Sequence, residues 1–338
     1  MDAEREARRR WDSLAKPLGS LGLLEDVVVQ IAALTGNADV DLSRRTLLVF
    51  CADNGVVAQR VTQTDSSVTA AVARVLAARE STVCHMARTA NCRVIPVDMG
   101  ILDFPSAPGV LNHRVRNGTG DITRGPAMRR EECVKVIQTG MELVREQKEA
   151  GVSILATGEM GIGNTTTSSA VASVLLGRSP VEMTGRGAGL SDAGLARKIA
   201  AIERAISINR PDPDDPVDVL SKVGGLDLAA LCGVYLGGAK YRVPVLLDGF
   251  ISAAAALCAV RLCPGAVNAL IASHVSAEPA GALLLEALGK KPLITAQMRL
   301  GEGSGAVAAL PLLDMALAVY SSGHTFTKMG MEPYTPQS

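Results

Sequence analysis

The chain has 338 residues and balances 34 Lys and Arg against 34 Asp and Glu, so its formal charge of +0 offers no basic field to a polyanion. Hydrophobic residues make up 48% and charged residues 20%, which supplies a packed core. Aromatics reach only 3%, too few for the stacking platforms of single-stranded nucleic-acid binders, so a nucleic-acid partner is not expected.

The first ten residues alternate acids with arginines and lack the apolar stretch of a signal peptide. Mean hydropathy is +0.23, yet no run approaches the roughly 18 uninterrupted apolar residues of a membrane span, so the excess is expected in a core and a subunit interface. Seven cysteines, an odd count without a Cys-x-x-Cys pair, read as reduced and cytoplasmic rather than disulfide-framed or zinc-bound.

From residue 46 onward, short Val/Ile/Leu-rich runs alternate with longer segments of helical spacing. Strands are predicted at 46–52, 93–97, 152–156, 243–247 and 268–273, and helices at 67–87, 129–150, 190–208 and 226–239. Such alternation predicts an α/β fold around an open parallel sheet. Most strands run directly into a polar residue and a turn: Asp53 before Asn54-Gly55, Asp98 before Met99-Gly100, Glu159 after Gly158, Asp248 before Gly249, His274 after Ser273. In open parallel sheets the ligand crevice lies outside the carboxyl ends of the strands, so these residues are expected at one acidic rim. Residues 209–222 read as a proline-rich surface connection. The first 40 residues and the last 20 or so fall outside the alternation, and 334–338 are expected to be loose.

Three glycine-rich segments carry the chemistry. Gly158-Glu159-Met160-Gly161-Ile162-Gly163-Asn164-Thr165-Thr166 follows one predicted strand and opens a helix-like run. Its glycines admit backbone N–H groups to a ligand, its hydroxyls add donors, and the helix start adds partial positive charge, a composition suited to phosphate or to a simple capped turn. Thr184-Gly185-Arg186-Gly187-Ala188-Gly189, with Lys198 on the next helix, would complete a cradle for a monoester dianion. Met298-Arg299-Leu300-Gly301-Glu302-Gly303-Ser304-Gly305-Ala306 sets a carboxylate between glycines before an Ala-rich helix. Glu302 there is either a helix-end acid or a general base. His274 is either a ligand or acid-base group or a satisfied structural residue; His85, His113 and His324 lack any cluster, so a His-based metal site has little support and no metal or other cofactor is expected.

Together with Lys16-Pro17-Leu18-Gly19-Ser20-Leu21-Gly22, Cys51-Ala52-Asp53-Asn54-Gly55-Val56, Lys222-Val223-Gly224-Gly225-Leu226-Asp227, Pro244-Val245-Leu246-Leu247-Asp248-Gly249-Phe250 and Ser273-His274-Val275-Ser276-Ala277-Glu278, these segments resemble the nicotinate-nucleotide:dimethylbenzimidazole phosphoribosyltransferase family of cobamide synthesis, in order and over nearly the whole chain. The resemblance implies a large Rossmann-like domain over 41–305, a smaller helical domain from 1–40 plus 306–338, and a homodimer, or a heterodimer with a paralogue. It implies nicotinate mononucleotide and a benzimidazole-like base as substrates, Glu302 as general base, and Glu159 in the same pocket. Gly161, Gly163, Asn164, Thr165, Thr166, Lys198 and Gly187 fall where the family holds the nucleotide, and Asp248 and Ser273 at the strand ends are counted with the substrate-binding set. Thr64 and Val72 align where well-known members hold the incoming base with Ser and Gln. The chain departs from the family at Asn54, often His, in the 59–69 loop, and at Arg186, where many members carry a more neutral residue. Base choice therefore stays open among benzimidazoles, adenine and phenols. Two rivals are a dehydrogenase, which would need Gly-x-Gly-x-x-Gly after the first strand, and a partner-dependent or non-catalytic nucleotide-binding subunit.

Overall fold

In the computed structural model, which describes residues 2–334, six strands form one sheet: β1 (Arg45–Ala52), β2 (Cys92–Gly100), β3 (Leu111–Asn112), β4 (Ile154–Met160), β5 (Val245–Leu247) and β6 (Leu270–Ala272). All neighbouring pairs are parallel, in the order β3-β2-β1-β4-β5-β6. The order reverses between β1 and β4, which puts a ligand crevice beyond their carboxyl ends.

Strand β1 shows why the sheet is buried on both faces. Leu48, Phe50 and Ala52 point into one apolar layer, and Leu47, Val49 and Cys51 into the other. The first layer is covered by Arg130–Glu149, Asn164–Leu176, Leu226–Tyr241 and Phe250–Leu262; the second by Ser67–Ala77, Thr82–Thr89 and the first half of Ser304–Tyr320. Helices Arg130–Glu149 and Leu226–Tyr241 approach until their backbones touch: a Cβ on Gly233 would lie 2.0 Å from the Ile137 carbonyl oxygen.

A third apolar cluster joins both chain ends. Ala7, Trp11, Leu14, Val28, Val29 and Ala32 pack against Ala316 and Tyr320, with the Trp11 and Tyr320 rings 5.0 Å apart. Ser304–Tyr320 thus starts in the sheet's second layer and ends in the terminal cluster.

Predicted strands coincide with observed ones apart from their ends. The two-residue β3, too short for a pattern, is not among the predicted elements. The helix expected over 67–87 is two helices, Ser67–Ala77 and Thr82–Thr89: Arg79 takes a left-handed backbone (φ 63°), and the Ser81 hydroxyl accepts from Cys84 N to cap a new start. Tyr334 is exposed, and 335–338 lie outside the described residues. No described helix is long and apolar enough to cross a membrane.

Candidate active site

The expected rim forms, but its members divide. Asp53 is used up locally: its carboxylate accepts from the Thr69 hydroxyl (2.7 Å) and Leu102 N (2.8 Å). Thr69 Oγ1 in turn accepts from Ile162 N (3.1 Å), so Asp53 anchors the glycine-rich turn indirectly. Asp98 accepts from Gly100 N, Ile101 N and the Arg114 guanidinium. Glu159, Asp248 and His274 face a cavity of about 260 Å³ outside the carboxyl ends of β4, β5 and β6.

At one end of this cavity the chain presents phosphate-binding chemistry. Gly163, left-handed at φ 93°, starts helix Asn164–Leu176, and Gly161, Asn164 and Thr165 line the wall. Lys198 reaches in from helix Asp192–Asn209, only 1% exposed, and its Nζ donates to Thr165 Oγ1 (2.8 Å) and the Gly185 carbonyl (3.1 Å). Burial lowers the Lys198 pKa to about 8, against the pull of nearby Glu278. Gly187 completes the cradle: a Cβ there would stand 3.1 Å from Thr165 Oγ1 and 3.5 Å from Lys198 Nζ. Gln63 closes over this end, donating to the carbonyls of Ala188 (3.1 Å) and Gly189, and Thr64 beside it also lines the cavity.

The same cavity receives Glu302. Gly301 (φ 86°), Glu302 (φ 59°) and Gly303 (φ 89°) are three successive left-handed residues. That path is easy for glycine and costly for glutamate, so the loop needs a clamp. Asp248 supplies it: its carboxylate accepts from Gly303 N (3.2 Å), Gly305 N (2.7 Å) and Ala306 N (3.3 Å), capping helix Ser304–Tyr320. His274 packs against Gly305, where a Cβ would fall 1.8 Å from His274 Nδ1. Glu302 Oε2 is buried with no hydrogen-bond partner among the described residues. Burial raises the Glu302 pKa, outweighing the Val83 N–H and Ser81 hydroxyl at a helix start. A carboxylate shielded from water is a stronger base than a fully solvated one.

Between the two ends lies a buried acid pair, Glu159 and Asp227, of which sequence reasoning assigned only Glu159 to the site. Asn164 Nδ2 donates both to Glu159 Oε2 and to Asp227 Oδ2 (3.0 Å). Burial, then the charges of Asp227 and Asp248, push Glu159 well above the usual carboxylate range despite Asn164; burial also moves Asp227 up to about 6. Asp227 closes the Lys222–Asp227 segment, but nothing in its spacing marks it as a partner of Glu159.

Three other expected site residues do not line the cavity. Thr166 is fully buried one helical step past Thr165, Ser273 turns its hydroxyl back to the Leu247 carbonyl, and Val72 packs into the second apolar layer. Arg186 and Arg299 do line it. Among the described residues no group of three or more His, Cys, Asp or Glu is placed to hold a metal ion.

The family model described as phosphoribosyltransferase matches residues 1–331. Nicotinate-nucleotide–dimethylbenzimidazole phosphoribosyltransferase from Ruminiclostridium cellulolyticum is 48% identical, covering 99% of this chain and 96% of that protein. The protein of the same name from Acetivibrio thermocellus is 46% identical, over 98% and 94% respectively. The crystal structure of CobT from Thermus thermophilus is similar at a TM-score of 0.93 and 39% identity, covering 98% of this chain and 99% of that one.

Proposed function

The chain belongs to the phosphoribosyltransferase family, and from that premise we propose that it transfers the 5-phosphoribosyl group of nicotinate mononucleotide to 5,6-dimethylbenzimidazole or a related lower-ligand base of a cobamide. The products are an α-riboside 5'-phosphate and nicotinate. The observation that carries the reading is one cavity holding Glu302 together with the Thr165–Gly187–Lys198 cradle. The base and the phosphate grip then act on one bound nucleotide.

The residues suit the chemistry. The nicotinate ring nitrogen is cationic in the mononucleotide, so the C1'–N bond breaks with its electron pair going to that nitrogen, and no acid is required. One nitrogen of the incoming base attacks C1' from the opposite face, which turns a β-nucleotide into an α-riboside. The positive charge growing on the base is relieved when its other nitrogen gives its proton to Glu302. Lys198 and the start of helix Asn164–Leu176 hold the phosphate, so that C1' is presented in a fixed geometry. Glu159, whose carboxyl burial and the nearby Asp227 hold well above the usual carboxylate range, lines the same cavity.

We place this activity in the cytoplasm and in a homodimer, with 1–40 and 306–338 as the smaller unit. Seven unpaired cysteines support the first. Exposed Met315, Val319, Met329, Met331 and Tyr334 near the carboxyl terminus, a surface that a second copy would cover, support the second.

The test is purified protein with nicotinate mononucleotide and a panel of benzimidazoles, purines and phenols, following free nicotinate and the α-riboside phosphate. Glu302→Gln is expected to lose about 10² to 10⁴-fold in kcat. No product with any base refutes the enzymatic reading, and product with phenols alone reassigns the acceptor.

A further inference from the structure

We propose that Arg186 is a second, mobile phosphate ligand: a guanidinium parked on the cavity mouth that turns inward to close on the nucleotide's phosphate opposite Lys198. The inference rests on reading the cavity as a mononucleotide site. A phosphate monoester carries close to two negative charges near neutral pH. The resident cation at the cradle, Lys198, is compact, buried, and already bonded to a hydroxyl and a carbonyl. With its pKa lowered to about 8 it brings at most one positive charge, so a dianion bound there is under-neutralised.

Arg186 stands one residue before Gly187 and lines the same cavity. Its Nη1 donates to the carbonyl of Leu190 (2.8 Å), another lining residue, so the guanidinium rests at the edge of the opening. Its acidic partner is Asp192, whose side chain is 92% exposed while that of Arg186 is 50% exposed. An exposed pair of this kind is weakly held and readily exchanged for a phosphate, which takes a planar guanidinium fork through two parallel hydrogen bonds. The backbone is fixed independently, because Gln63 bonds the carbonyls of Ala188 and Gly189. The exchange is therefore a side-chain rotation over a held loop.

A purely structural role would make Arg186 and Asp192 two halves of one staple across the 186–192 turn. The two roles separate in a comparison of full-length wild type, Arg186→Ala and Asp192→Asn. Binding of inorganic phosphate and of nicotinate riboside is measured by calorimetry, and KM for nicotinate mononucleotide by turnover. Arg186→Ala should weaken phosphate and raise KM for the mononucleotide by about 10- to 100-fold while moving riboside affinity less than twofold. Asp192→Asn, which frees the guanidinium, should bind phosphate at least as tightly as wild type. The proposal is overturned if Asp192→Asn weakens phosphate in parallel with Arg186→Ala, or if Arg186→Ala binds phosphate like wild type. If wild type binds phosphate in this manner but releases no nicotinate with any base, the proposed transfer reaction fails and the Arg186 assignment stands.

Discussion

Gly158 lies in the middle of β4, yet what it touches is the loop that carries Glu302. A Cβ at position 158 would sit 2.4 Å from the Glu302 carbonyl oxygen, 2.5 Å from its carbon and 2.6 Å from Gly303 N. All three are backbone atoms, so no side chain can swing aside. Ordinary contact begins near 3.4 Å, so Gly158→Ala must push the loop outward by about 1 Å. The Asp248 carboxylate holds that loop at Gly303, Gly305 and Ala306. The displacement therefore falls on the three left-handed residues. A misplacement of ~1 Å of a catalytic group costs on the order of 10²-fold, and that is the expected fall in kcat, with KM for the mononucleotide little changed because the cradle is elsewhere. Steady-state kinetics with circular dichroism as a folding control measures it. Made in the Glu302→Gln background, the same change should cost less than about threefold, since the group it displaces is already disabled. Full kcat in folded Gly158→Ala, or an undiminished penalty in the double variant, refutes the reasoning.

Two further outcomes follow from the titrating groups. In the proposed site Lys198 would hold phosphate only as a cation, and burial lowers its pKa to about 8, so kcat/KM should fall as pH rises past that value. Lys198→Met should have a low kcat/KM that shows no such fall between pH 7 and 9; a fall of equal steepness in the variant assigns it to another group. Glu159, raised far above an unfolded glutamate, binds a proton in the native state that the unfolded chain has released, so it costs stability as pH climbs out of the acid range. Glu159→Gln keeps an oxygen for Asn164 Nδ2 and should gain in urea midpoint over wild type between pH 5 and pH 8. An equal offset at both pH values would show that charge is not the cause.

The apolar runs of β1, β2, β4, β5 and β6 were legible because a strand buried on both faces leaves little room for polar residues. The placing of Glu159 and Asp248 at one rim also followed from strand ends, whereas Glu302 joined them only through the family resemblance. Other features depend on facing, which no single segment encodes. Thr165 and Thr166 look alike in sequence, but the step along a helix carries one to the cavity and the other into the core. Asp53 and Asp98 look like Glu159, yet nearby amides, Thr69 and Arg114 absorb them. Asp227 and Gln63 act through residues 63 and 125 or more positions away, a separation over which composition and spacing are silent.

Helix Ser304–Tyr320 begins two residues after Glu302 and finishes against Trp11 among the two chain ends. It has Glu302 just before one end, the two termini packed at the other, and Pro311 inside it. A fused domain, a crosslink or a neighbouring subunit at the chain ends therefore bears on the same 17-residue helix that follows Glu302. Terminal tags are accordingly a variable to hold fixed in any kinetic comparison between preparations.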